Sequence, residues 1–203
     1  MKEPTKADLL HAPVVPIDIK QHDVRPLVDA MADMAFQARN LGRAARIYDR
    51  MLADKECSPI VCLAGSLNSA GLRQVFIDLV ENRMADALVA TGANIVDQDF
   101  FEGLGFQHYR GDTRADDDML RRNAIDRIYD TYINEDELRE CDMTTAKIAD
   151  AMLESGGPRA VSSREFIREM GAWLAANRPD SKSIVLSAYQ ADVPIFVPAF
   201  SDC

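Results

Sequence analysis

The stretch ADALVATGANI, residues 85–95, decides how the chain is read. An apolar run through Leu88, Val89 and Ala90 breaks abruptly into Thr91-Gly92-Ala93-Asn94, and the acids Asp97 and Asp99 follow. A short apolar run closed by glycine reads as a buried strand, and the small polar residues after it as a loop. That loop is either a ligand-facing feature or a plain turn. Upstream, SPIVCLAG (58–65) has the same design, with a proline near its start, β-branched residues in its middle and Gly65 at its end. Between the two, residues 69–84 return to helical spacing through Leu72, Val75, Phe76, Leu79 and Val80. Strand, helix, strand, with both strands apolar throughout, is the pattern of a βαβ unit in a parallel sheet covered on both faces.

Outward from this unit the periodicity is mostly helical. Residues 23–51 carry Leu27, Val28, Met31, Met34, Ala35, Ala38, Leu41, Ala44, Ile47 and Met51 at steps of three and four, with a break expected at Asn40-Leu41-Gly42. Residues 116–129 and 136–153 are predicted helices, and ESGGPRAVS (154–162) separates them from another. This last helix opens with the capping pattern Ser162-x-x-Glu165 and buries Phe166, Ile167, Met170, Trp173 and Leu174. VPIFVPAF (193–200) is the final expected strand, its prolines near the ends where they cost few ladder bonds.

With 203 residues, 47% hydrophobic and 28% charged, the chain can build one domain, 1–203, around a substantial core. Its formal net charge of −10 disfavours nucleic acid and anionic membrane surfaces and is compatible with a polycationic partner. No apolar run is long enough to span a bilayer and the N-terminus lacks a signal-peptide pattern, so a cytoplasmic protein is expected. Cys57, Cys62, Cys141 and Cys203 form no Cys-x-x-Cys pair and His11, His22 and His108 are scattered, so neither a metal site nor a disulfide framework is expected.

Ligands of open α/β sheets sit beyond the carboxyl ends of the strands, which directs attention to three loops. Gly65-Ser66-Leu67-Asn68-Ser69 leads into a helix whose first amides could hold an anion; it also reads as a tight turn with Ser69 as N-cap. Thr91 to Asn94 shapes a ribose or base pocket or is a turn, and Asp97, Asp99 and Glu102 either bind a ribose hydroxyl or a cation or are solvated acids. Asp202 lies where the last strand would converge on the other two loops. His108 reads as a general acid or as a satisfied loop histidine, and Lys147 as a solvated helix lysine. No Gly-x-Gly-x-x-Gly fingerprint is present, so spacing alone does not show a dinucleotide site.

Four separated blocks, in order, carry a resemblance: FQARNLGRAARIYDRML (36–52), LAGSLNSAGLRQVFIDLVENRMADALVATGANIVDQDFF (63–101), NAIDRIYD (123–130) and AYQADVPIFVPAFSD (188–202). Together they resemble deoxyhypusine synthase and its bacterial relatives across nearly the whole chain. The resemblance implies an α/β fold, a Rossmann-like doubly wound parallel sheet with N-terminal helices, incomplete without a C-terminal partner segment. It implies NAD as cofactor and spermidine as donor, with the aminobutyl group passing through an imine on an enzyme lysine to an acceptor amine. The acceptor is a lysine of the hypusine-containing translation factor or a small diamine, giving homospermidine. A tetramer-like oligomer is implied too. By position the NAD contacts fall on Gly65, Ser66, Leu67, Asn68, Ser69, Thr91, Gly92, Ala93 and Asp202. The acid after the second loop is Asp97 or Asp99, because this chain carries one extra residue there. The first loop reads Gly-Ser-Leu-Asn-Ser where the family has Ser-Asn-Leu-Ile-Ser. No catalytic residue is expected in residues 1–203, since the nucleophilic lysine belongs to the segment after Asp202, expected on a separate C-terminal chain. The competing expectation is a non-catalytic regulatory or scaffold subunit of such a complex.

Overall fold

The computed structural model describes residues 4–157 and 159–200. In chain order the first helices are α1 (Lys6–Leu9), α2 (Arg25–Met31) and α3 (Phe36–Ala53). Strand β1 (Ile60–Cys62), helix α4 (Arg73–Glu81) and strand β2 (Ala87–Val89) follow, and then the short α5 (Phe101–Gly103). Strand β3 (Tyr109–Arg110), helix α6 (Asp117–Arg122) and strands β4 (Ile125–Ile128) and β5 (Thr131–Asn134) come next. The chain closes with α7 (Glu135–Gly156), α8 (Ser163–Asn177), α9 (Ile184–Ala191) and β6 (Ile195–Phe196). Segment Ala93–Phe100 is a wide-turn helix of the π type, whereas Asn68–Leu72 is a kinked wide turn, non-helical at Gly71 (φ 89°) and closed by the Leu72 amide donating to the Leu67 carbonyl five residues back.

The stretch 85–95 is the centre of the fold. β2 lies between β1 and β6 in a parallel sheet of order β1-β2-β6, with Leu88 opposite Val61 on one side and Ile195 on the other. Leu88 is fully buried, and around it one core gathers Ile95, Phe100, Phe101, Met170, Leu174 and Ile184. The βαβ unit is therefore present as expected, in a mixed α/β fold. Within the described residues the strand order runs in one direction only, without the reversal of a doubly wound sheet.

Several elements differ from expectation for local reasons. Helix 116–129 ends at Arg122, because Asn123 folds its side chain back on the Met119 carbonyl and Ala124 takes the left-handed φ of 51°. Ile125 and Ile128, three apart and suited to a helix face, instead sit in β4, which pairs with β5 in a separate antiparallel sheet of order β3-β5-β4. The break expected at Gly42 falls between α2 and α3. Gly42 is mid-helix and buried because a Cβ there would stand 2.7 Å from Ala32, so its missing side chain lets the two helices meet. Strand 193–200 pairs only through Ile195–Phe196, and α9, an apolar eight-residue helix, is one that periodicity does not mark. The capping box of Ser162 and Glu165 opens α8 as expected.

One buried carboxylate ties the sheet's helices together. Asp99, fully buried, accepts from the Ile184 amide at 2.8 Å, the Val185 amide at 2.9 Å and the Ser183 hydroxyl at 2.7 Å. It thereby satisfies amides at the start of α9 that no intrahelical carbonyl can reach. Burial pushes its carboxyl up to about 6, against the pull of those hydrogen bonds and of Arg73. A folded-state value above the ordinary 3.8 means that the folded protein holds the proton more tightly than the unfolded one. Stability from this group is thus present below about pH 4 and is lost as pH rises toward 6. In Tm measured against pH, Asp99→Asn should flatten that decline, while Asp99→Ala, which strands buried amides, should cost about 2–4 kcal/mol at every pH.

Candidate functional site

The loops after β1 and β2 meet at the carboxyl edge of the sheet, stitched by side chains from the second loop. Asn94, fully buried, donates from Nδ2 to the Gly65 carbonyl at 2.5 Å and to the Thr91 hydroxyl at 3.0 Å. Its Oδ1 accepts from the Leu67 amide at 2.9 Å, and its carbonyl accepts from Asn68 Nδ2 at 2.5 Å. Thr91 donates its hydroxyl to the Gly65 carbonyl at 3.1 Å, and Gln98 Oε1 accepts from the Ser69 amide at 2.9 Å. Ser69 does not cap a helix: its hydroxyl turns back to the Ser66 carbonyl at 3.1 Å. The amides of Leu67 and Ser69 are thus already used within the protein, and the anion-holding N-terminus considered from sequence is reduced to what surrounds Ser66.

Part of each loop is open to solvent. Gly65 is exposed at φ 62°, a left-handed conformation that favours glycine, and nothing stands within 4 Å of where its Cβ would be. Thr91 is exposed, while Ser66 and Ala93 are half-buried. Behind them, two fully buried side chains each keep one polar atom without a hydrogen-bond partner, Asn68 Oδ1 and Gln98 Nε2. An open glycine approach backed by unspent polar atoms fits a nucleotide-sized group.

A cavity of about 550 Å³ opens beside this edge, between the segment Ala93–Phe100, α7 and the start of α8. Its walls are largely apolar, with Val96, Ala149, Met152, Phe166 and Phe200, and its charged lining is Asp97, Asp142 and Arg159, the last paired with Glu165. Burial, reinforced by the neighbouring Asp142 charge, raises the Asp97 carboxyl to about 6. Asp97 therefore faces a ligand-sized space, whereas both oxygens of Asp99 are occupied by the start of α9. Asp202 lies outside the described residues.

A family profile described as deoxyhypusine synthase matches residues 26–203. The chain belongs to the deoxyhypusine synthase family. A deoxyhypusine synthase-like protein from Chlorobaculum parvum is 61% identical over 198 residues, covering 98% of this chain and 55% of that protein. One from Elusimicrobium minutum is 53% identical over 207 residues, covering 100% of this chain and 54% of its own length. The chain spans about half the length of these curated relatives. A solved structure from Entamoeba histolytica, described as a candidate deoxyhypusine synthase, shares the fold with TM-score 0.62 at 18% identity, over 92% of this chain and 64% of its own.

The loop residues Gly65 to Ser69 and Thr91 to Ala93, singled out from the sequence, are brought together, and Asp97 and Asp99 face different surroundings. His108 is fully buried, its Nδ1 2.7 Å from Glu102 Oε1, and Glu102 also pairs with Arg73, so this histidine is held in a structural triad. Lys147 is exposed on α7. Among the described residues no helix is long and apolar enough to cross a membrane. Sequence reasoning missed Asp142, which lies within an ordinary amphipathic helix and meets Asp97 only through the packing of α7. An amide at this position would remove the like charge. Asp142→Asn should therefore shift the Asp97 carboxyl downward in a carbon-13 NMR titration, and an unmoved titration would deny the coupling.

Proposed function

We propose that this chain forms the NAD-holding, N-terminal part of an enzyme that transfers the aminobutyl group of spermidine to an acceptor amine. The observation that carries the reading is the pairing of two stitched loops at the sheet's carboxyl edge with an apolar cavity bearing Asp97 and Asp142. Gly65, Ser66, Leu67, Asn68, Ser69, Thr91, Gly92 and Ala93 bound the dinucleotide, and the resemblance to the family adds Asp202. NAD supplies hydride acceptance when bound. The chain's own residues orient the reactants. The open face of Gly65 lets the dinucleotide approach the backbone, and the apolar walls exclude water from an aliphatic chain.

Asp97 and Asp142 attract an ammonium group entering the cavity, and Asp97 does so best when ionised. Spermidine's amines stay charged across this range, so attraction grows as pH rises through about 6. The imine-forming lysine and further polyamine contacts come from the part of the family's length that this chain does not span. The acceptor is a protein lysine or a small diamine, and the working unit is an oligomer in the cytoplasm. Because spermidine minus its aminobutyl group is 1,3-diaminopropane, release of that amine reports the donor half-reaction.

In an assembly that includes the family's C-terminal portion, 1,3-diaminopropane should appear only with NAD present. The KM for spermidine should fall as pH is raised from about 5 to about 7. An intact assembly that binds NAD but never cleaves spermidine would defeat the reading. One that binds no NAD would instead point to a scaffold subunit.

A further inference from the structure

The two loops could have been held by backbone pairing or by apolar packing; instead side chains join them, and one of these, Asn94, makes more of the contacts than any other. Asn94 meets the first loop at three points: the Gly65 carbonyl, the Leu67 amide and, through its own carbonyl, the Asn68 side chain. It also fixes its own loop, since the Thr91 hydroxyl accepts from both the Asn94 amide at 3.2 Å and Nδ2 at 3.0 Å. That leaves the Thr91 proton to be donated to the Gly65 carbonyl. Every polar atom of the Asn94 side chain is spent on holding loops, and the residue is fully buried, so it reaches no ligand. Gln98, one turn on, repeats the device with the Ser69 amide, and its Nε2 remains without a partner.

We infer that Asn94 is a positioning residue that sets the distance and orientation between the two loops of the dinucleotide site. This rests on the proposal that those loops hold NAD. A carboxamide is required because one end must donate to a carbonyl while the other accepts from an amide. An aspartate of the same shape would bring a carboxylate oxygen against the Gly65 carbonyl oxygen, where a donor now stands. The groups the loops present to a ligand, at Gly65, Ser66, Thr91 and Ala93, are held at both ends of that bridge. Preorganisation of this kind appears in ligand affinity, because a loop that must be ordered on binding spends affinity on the ordering.

The test compares the full protein carrying Asn94→Asp with wild type and with Leu120→Ala. Leu120 belongs to the separate core cluster of the antiparallel sheet, so its truncation lowers Tm without touching either loop. Two quantities are read: amide hydrogen exchange of the peptide 63–70, and the dissociation constant for NADH by its fluorescence. Asn94→Asp should speed exchange in that peptide and weaken NADH binding by about tenfold or more. Leu120→Ala should leave both within about twofold of wild type. Should the aspartate variant not fold, Asn94→Ala removes the bridge without adding the charge and is read in the same way. Unchanged exchange in 63–70, or faster exchange with unchanged NADH affinity, would overturn the assignment. A wild-type protein that binds no NADH would sink the proposed function instead, and the exchange measurement then decides the bridge by itself.

Discussion

The carboxylate of Asp99 is the joint on which the parallel sheet depends. It belongs to the segment that leaves β2, and its two oxygens are filled by the first amides of α9 and the hydroxyl of Ser183. α9 in turn delivers the chain to β6, which pairs with β2 on the side opposite β1. A helix start buried in an apolar core needs acceptors for its free amides, and a single anion can serve several at once. Without it, Ile184 and Val185 would have to be solvated or displaced from the core that contains Phe100 and Leu174. Strand β6 is thus set beside β2 with the help of a contact between residues 84 or more positions apart.

The division of labour among the polar residues of the segment Ala93–Phe100 follows from that joint. Asn94 and Gln98 turn toward the loop after β1, Asp99 toward α9, and Asp97 toward the cavity beside α7. Polar side chains from one short segment thus face three different neighbours, and each environment sets a different role. Those of Asn94 and Asp99 are saturated by protein donors and acceptors. Asp97 has the neighbouring charge of Asp142 and open space. The chemistry available to a ligand is therefore concentrated where the protein has not already used its groups.

How much of this is legible in the sequence differs by element. The βαβ unit announces itself because β2 is apolar in every residue between turn-forming ones, and the α8 start because the capping box is a local pattern with a local cause. Strand β4 reads as helix because Ile125 and Ile128 satisfy a three-residue step. Only the left-handed Ala124 and the cross-strand partners, neither encoded in periodicity, decide against it. At the site, the loops around Gly65 and Thr91 are visible as small polar residues after strands. The choice between Asp97 and Asp99 is not, since it turns on which side of one helical segment meets α9. Asp142 is beyond reach for the same reason: its partner Asp97 is remote along the chain and joined to it only by packing.

The wide turns of Ala93–Phe100 also bear on how such a segment changes over evolutionary time. A turn that closes over five residues rather than four lodges one additional residue while its two ends stay where they were. An insertion here can therefore be absorbed without moving Thr91 at one end or the Phe100 and Phe101 core contacts at the other. The acid that reaches the cavity and the acid that caps α9 can drift in spacing by one position from one relative to another. Correspondence between homologues in this segment is then better drawn by the direction a carboxylate faces than by counting along the chain.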